Sequence, residues 1–224
     1  MTKQPAVVKV EVWSDVACPW CFIGKRRLAE GISQHEAAGG DAVEVEYRSF
    51  ELAPDLPEDV TESLIEYMSV RKGIPEAQVH AMFSQVSELA HAEGIDAHFE
   101  TVQQTRTLKA HELLHLAKAR GLQDPMKERL LSAYFVEGRH VGRVEELVAL
   151  AAEVGLDADE VRAALAAGTY AADVQADIAQ ARAYGIGGVP FFVIDGRYGI
   201  SGAQSAETFA GALTQAAADR ASSA

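Results

Sequence analysis

Cys18 and Cys21 are the only cysteines among 224 residues, and they enclose Pro19 and Trp20. Two cysteines at i and i+3 in the first turn of a helix have Cα atoms roughly 5–5.5 Å apart. That lies inside the ~4.4–6.8 Å that a disulfide spans, so the bond can close and open with little backbone movement. A sulfur at a helix start faces unpaired backbone N–H groups. Together with the helix dipole these favour a thiolate by about 0.3–2 kcal/mol, and the thiolate is the attacking species. Attack therefore falls to Cys18, and resolution to Cys21, one turn inside and expected to be less exposed. Pro19 suits the first turn because its missing N–H would be unpaired there anyway. Two other readings compete: an inert buried pair, and half of a zinc site. Zinc would need a second cysteine pair or a Cys/His cluster at ligand spacing, which the chain lacks, so no metal is expected.

A second constellation is His111-Glu112-Leu113-Leu114-His115. It matches the H-E-x-x-H pattern of zinc peptidases, in which two histidines on one helix face bind metal and the glutamate acts as base. Lys118 stands where the extended pattern needs glycine, and Glu137 is only a loosely spaced third ligand. A packed helix that happens to carry two histidines explains the segment as well. His35, His80, His91, His98 and His140 show no ligand spacing and read as surface or packing residues.

These residues need elements to hold them. Val7 to Trp13 alternates as a strand, and helical spacing begins after Cys21, so the cysteines sit where strand passes to helix. Gly39-Gly40 ends that helix. Val43 to Phe50 is a second strand, and a helical crossover makes the two strands parallel neighbours. Pro54 and Pro57 then break the pattern. From residue 58 to 171 the signals are helical, with expected helices at Leu64–Gly73, Glu76–Glu93, Gln104–Arg120, Asp124–Val136, Val144–Val154 and Ala158–Ala167. Asp124-Pro125 reads as cap and first position, and Asp157 with Glu160 as a capping-box-like start. This helical segment is expected to have its own small core. A helix over Ala172–Tyr184 leads to Phe191–Ile194, a short buried strand. Asp195-Gly196 is a hairpin signal, with Arg197–Ser201 returning antiparallel. Ser205–Ala218 is a closing helix, capped by Ser205, and Ala221–Ala224 a frayed tail.

The chain is long enough for a substantial core, and its 48% hydrophobic and 24% charged content is ordinary for a globular protein. The net charge of −13 argues against nucleic acid or an anionic membrane as partner. No apolar run reaches the ~18 residues of a membrane span. Met1-Thr-Lys-Gln-Pro passes straight into the first strand without a leader pattern, so the expected setting is cytoplasmic. There a lone cysteine pair is more often catalytic than structural.

The order β-α-β, helical segment, β-β-α, with C-x-x-C at the first strand–helix junction and Val189-Pro190 opening the third strand, resembles the α/β thioredoxin-like fold of the DsbA family, with its large all-helical insertion. Asp15-Val-Ala-Cys-Pro-Trp-Cys, Phe50-Glu-Leu-Ala-Pro, Gly188-Val-Pro-Phe-Phe-Val and Ser201-Gly-Ala-Gln204 look most like the FrnE-like branch. The resemblance divides the chain into a discontinuous thioredoxin-like domain, 1–57 with 172–224, and a helical insertion, 58–171. It implies a thiol–disulfide oxidoreductase acting on protein or small-molecule thiols through a mixed disulfide at Cys18, with no cofactor beyond the dithiol and glutathione as a possible co-substrate. It implies that Pro190 is cis and faces the cysteines. The Val189 backbone would then pair with an extended substrate, with apolar contacts from Trp20 and Phe22. Glutathione-handling relatives, the kappa-class transferases and chromene-carboxylate isomerases, typically have serine where Cys18 stands and lack the second cysteine. The Pro19-Trp20 insert lacks the histidine of strongly oxidising members, so an intermediate poise is expected. Asp15 is a candidate both for proton transfer to a thiol and for capping the first helix or its approach loop. A non-catalytic holdase with an apolar groove near Trp20 is the third class.

Overall fold

In the computed structural model, residues 7–57 and 59–223 are described. Thus Met1 to Ala6, where the leader reading falls, Glu58 at the expected domain junction, and Ala224 lie outside the described residues. Strand β1 (Val7–Ser14) runs parallel to β2 (Ala42–Ser49) with Val8 opposite Val43. Helix α1 (Pro19–Ala37) makes the crossover between them. β3 (Phe191–Ile194) lies antiparallel on the other side of β1, and β4 (Tyr198–Ser201) closes the sheet in the order β2-β1-β3-β4. The turn between β3 and β4 needs two left-handed residues, Asp195 (φ 49°) and Gly196 (φ 65°), which is why Asp-Gly stands there.

One sheet face presents Val8, Val10, Val12, Phe192 and Ile194 to Leu28 of α1 and to Phe209 and Leu213 of α9 (Ala206–Ser223). α1 and α9 approach so closely that a Cβ on Gly31 would lie 2.7 Å from the Ala206 carbonyl and from Phe209 Cβ. The other face is covered at Trp13 and Val193 by Ala181 of α8 (Ala171–Ala183) and by Ile186. Between β2 and α8 come α2 (Leu64–Glu66), prolonged by a wider π-type turn over Tyr67–Arg71, then α3 (Glu76–Ala92), α4 (Leu108–Ala119), α5 (Gln123–Phe135), α6 (Val144–Glu153) and α7 (Ala158–Ala167).

Several expected boundaries shift, each for a physical reason. The helix expected from Gln104 begins at Leu108, because residues 102–104 are extended and bonded to the loop before α2: Leu64 N–H donates to Val102 O, and Gln104 N–H to Glu62 O. α5 starts at Gln123, ahead of Asp124-Pro125, and Gln123 uses its side chain on β2 instead of continuing the loop. The tail expected to fray at Ala221 is helical through Ser223, with Arg220 bonded to the Val7 carbonyl and to Asp195. The core of the helical segment is also not separate and small. Leu113, Leu114, Met126, Leu130, Leu131, Phe135, Leu147, Leu150 and Val161 form one cluster with Val16, Phe22 and Ile23. The first turns of α1 therefore belong to it, which ties the cysteine motif to the helices. Asp157 does cap α7, accepting from Glu160 N–H at 2.8 Å, and Ser205 Oγ accepts from Thr208 N–H at the start of α9.

Candidate active site

Cys18 is the residue from which α1 springs. Its backbone is extended (φ −103°, ψ 112°), no side chain caps the helix, and Pro19 occupies the first turn. Cys21 N–H donates to Cys18 O at 3.0 Å, closing that turn. The Val189–Pro190 peptide bond is cis, and Cys18 Sγ donates to the Val189 carbonyl at 3.5 Å. The loop carrying Pro190 is anchored by Gly202 N–H, which donates to Pro190 O at 2.9 Å. Gly24, one turn beyond Cys21, leaves room for this loop: a Cβ there would meet Pro190 Cγ at 3.1 Å.

Both cysteines are 3% exposed, so the expected difference in exposure is absent; the Val189–Pro190 loop lies against Cys18 as the core lies against Cys21. Nor does the start of α1 lower the Cys18 thiol in this geometry. Its hydrogen bond to Cys21, burial, and the charges of Cys21 and Asp15 push its thiol well up. For Cys21, burial opposes ionisation, but the Cys18 hydrogen bond, the Lys127 charge, the Ser14 hydroxyl and the Asp15 backbone N–H outweigh it and hold the thiol below its usual range. The hydrogen bond between the two sulfurs thus acts in opposite directions on them, raising Cys18 and lowering Cys21. Lys25, Arg26 and Arg27 are committed elsewhere: Lys25 to Asp124 and Glu128, Arg26 to Glu128, Arg27 to Glu93.

Asp15 caps the approach loop, not the helix. Oδ1 accepts from Ala17 N–H at 3.3 Å and Oδ2 from Leu52 N–H at 2.8 Å, and His111 Nε2 lies 3.3 Å from Oδ1. Burial works against its charge, but His111, the Leu52 N–H and Thr107 overcome it and hold the carboxyl below its usual range. His111 is thus part of the cysteine site, a role that the H-E-x-x-H spacing did not indicate. His115, one turn on, engages Asp177 at 3.0 Å, and Glu112 turns to Lys109 at 3.0 Å. Glu137 pairs with Arg129 at 2.7 Å. The peptidase constellation is therefore dispersed among separate partners. Among the described residues no cluster of three or more His, Cys, Asp or Glu side chains is arranged to hold a metal.

Beside the cysteines, Trp20 is 40% exposed and borders a groove of about 290 Å³ whose walls include Pro19, Leu52, Met68, Met82 and Phe83. Phe22 is buried against Phe135 instead of facing this surface, so of the two aromatic contacts expected for a substrate only Trp20 is available. Sequence reasoning missed Ser14, Thr107, Lys127 and Tyr134. Lys127 and Tyr134 left a signal, since they share a buried stripe with Leu131 at helical spacing.

Comparison with known proteins agrees with this geometry. The profile of the DSBA-like thioredoxin domain matches residues 9–214. A probable DsbA oxidoreductase from Streptomyces coelicolor is 41% identical, and its crystal structure superposes with a TM-score of 0.87 over 93% of this chain and 89% of that one. The Bacillus subtilis protein YwbO is 32% identical over 214 residues, 92% of this chain and 96% of its own. The cytosolic disulfide reductase DsbM from Pseudomonas aeruginosa, in its structure with GSH, is 17% identical with a TM-score of 0.60 over 96% and 98% of the two chains, a likeness of fold.

Proposed function

Because this chain belongs to the DSBA-like thioredoxin domain family, we propose that it is a thiol–disulfide oxidoreductase that exchanges its Cys18–Cys21 pair with protein or small-molecule thiols through a mixed disulfide at Cys18. The observation that carries the reading is the pair itself, i and i+3 across the first turn of α1, with Cys18 Sγ against the Val189 carbonyl beside Pro190. In the reducing direction the Cys18 thiolate attacks a substrate disulfide, one substrate sulfur leaves as thiolate, and Cys21 then attacks Cys18 to release the other. Run backwards, the same steps oxidise a dithiol.

In this reading Val189 and Pro190 position an extended substrate, and Trp20 and Pro19 supply the apolar surface at the groove. Asp15 orders the Ala17 and Leu52 backbone and sets the charge beside Cys18. Glutathione is a co-substrate consistent with the GSH found on a protein of the same fold. The setting is cytoplasmic, as for that cytosolic reductase; among the described residues no helix is long and apolar enough to cross a membrane.

Turbidity-monitored insulin reduction with a thiol reductant tests the proposal. The native protein should accelerate it and Cys18→Ser should not. Equal activity would leave the groove at Trp20 as a holdase surface and end the redox reading.

A further inference from the structure

Lys127 is a fully buried lysine: its relative exposure is 0%, and Nζ has no hydrogen-bond partner among the described residues. An ammonium without a partner in such surroundings is costly unless an opposite charge compensates it. Its position is held firmly. Gln123, one turn earlier on the same face of α5, clamps Tyr47 of β2 through both backbone groups, Tyr47 N–H to Gln123 Oε1 and Gln123 Nε2 to Tyr47 O, each 2.9 Å. Lys127 Nζ then lies 5.7 Å from the centre of the Tyr47 ring. α5 packs against α1 as well as β2, and the buried ammonium is within electrostatic reach of Cys21 and Cys18.

The charged and titratable groups around it can be assigned one by one. From α1 come Cys21, Cys18 and Lys25, and from the loop after β1 comes Asp15. Lys25 is balanced by Asp124 at 2.9 Å and Glu128 at 3.2 Å. Asp15 already accepts from two backbone N–H groups and lies beside His111. From β2 comes the face of Tyr47, whose hydroxyl is bonded to Asp124 at 3.1 Å. Tyr134 on α5 has a buried hydroxyl without a hydrogen-bond partner among the described residues. The anion left to compensate Lys127 is the Cys21 thiolate.

We infer that Lys127 is the positioning residue of the resolving step, a buried cation that stabilises the Cys21 thiolate from the side opposite the substrate. The inference rests on the dithiol reading above. The step is an exchange in which the Cys21 thiolate attacks Cys18 Sγ, the S–S bond to substrate breaks, and the substrate sulfur leaves with the electron pair as thiolate. No proton and no further reagent is needed. In the reverse direction the Cys21 thiolate is the leaving group, so Lys127 assists oxidation and reduction alike. Closing the disulfide removes the anion, so Lys127 must bind its proton less tightly in the oxidised protein.

Two measurements test this. In Cys18→Ser, where Cys21 titrates alone, adding Lys127→Met should raise the midpoint of thiolate absorbance by at least one pH unit. In the otherwise native chain, Lys127→Met should shift the equilibrium with glutathione at least tenfold toward the enzyme disulfide, about 30 mV. A folded Lys127→Met protein with neither shift overturns the inference and leaves the oxidoreductase reading standing. Should the substitution unfold the chain, the native protein decides: the Lys127 ¹⁵Nζ titration must have a lower midpoint in the oxidised than in the reduced state, and equal midpoints overturn it. Absence of any glutathione exchange by the native protein would remove the dithiol reading itself.

Discussion

Helix α4 carries two histidines one turn apart, each against a buried carboxylate, yet the two sites are built differently. Around Asp177 the groups are matched. Its carboxylate takes Ser49 N–H at 2.9 Å, Arg48 at 3.1 Å and His115 at 3.0 Å, and its backbone carbonyl takes Trp13 Nε1 at 3.0 Å. That network ties α8 to β2, β1 and α4. Around Asp15 the carboxylate is satisfied but its neighbours are not. His111 Nδ1, Lys127 Nζ and Tyr134 Oη are buried without hydrogen-bond partners among the described residues. Buried polar groups are nearly always paired, so a cluster of exceptions calls for an explanation. Here Lys127 interacts with the two sulfurs, and His111 and Tyr134 with Asp15; in the proposed dithiol chemistry the charge on the sulfurs changes with redox state. The matched site ties elements of the fold together; the unmatched one, on the proposed chemistry, would serve a changing charge.

Substitutions separate the two sites in order of size. Cys18→Ser should abolish insulin reduction while leaving the thermal midpoint close to native, because a hydroxyl replaces a thiol of similar volume; a protein that melts early but still turns over would reverse the assignment. Asp177→Asn should do the opposite. Breaking a buried ion pair costs about 3–5 kcal/mol, a fall in thermal midpoint of about 6–20 °C for a chain of this size, with glutathione exchange by the surviving folded protein unchanged. Asp15→Asn should act on the sulfurs: the Asp15 charge raises the Cys18 thiol, so its removal should lower the apparent thiol pKa, read from the pH dependence of iodoacetamide alkylation. An unchanged profile would confine Asp15 to its loop. Asp157→Ala, remote from both histidines, should cost about 1 kcal/mol through the lost cap and leave alkylation untouched.

Both carboxylates also set an acid limit. Each is held below its usual 3.8 in the folded chain. The stability they contribute is therefore present above that value and lost as pH falls through the folded values. Urea midpoints followed from about pH 6 down to about pH 3 should fall less steeply in Asp177→Asn than in the native protein.

Much of the scaffold was legible because it depends on local pattern. Alternation in Val7–Trp13 and Val43–Tyr47, Asp195-Gly196 at the hairpin, and glycines at helix ends are read within a few residues. The placement of Cys18 and Cys21 at the start of α1 was legible for the same reason, since it follows from local spacing. What escaped was long-range pairing. Asp15 meets His111 across 96 residues, Gln123 meets Tyr47 across 76, and no periodicity encodes either. Residues 104–107 misled because Gln104-Thr105-Arg106-Thr107 is polar yet mostly buried, and its local pattern does not reveal the bond from Gln104 N–H to Glu62 O. His111 misled differently: its spacing to His115 places both on one helix side, but only the fold shows that different carboxylates await them.

The central claim, attack through Cys18, is tested most directly by trapping the intermediate. Cys21→Ser, incubated with glutathione disulfide and analysed by intact mass and peptide mapping, should carry one glutathione on Cys18, because no resolving thiol remains to release it. An unmodified Cys18 in that variant, together with a glutathione adduct on Cys21 in Cys18→Ser, would contradict it.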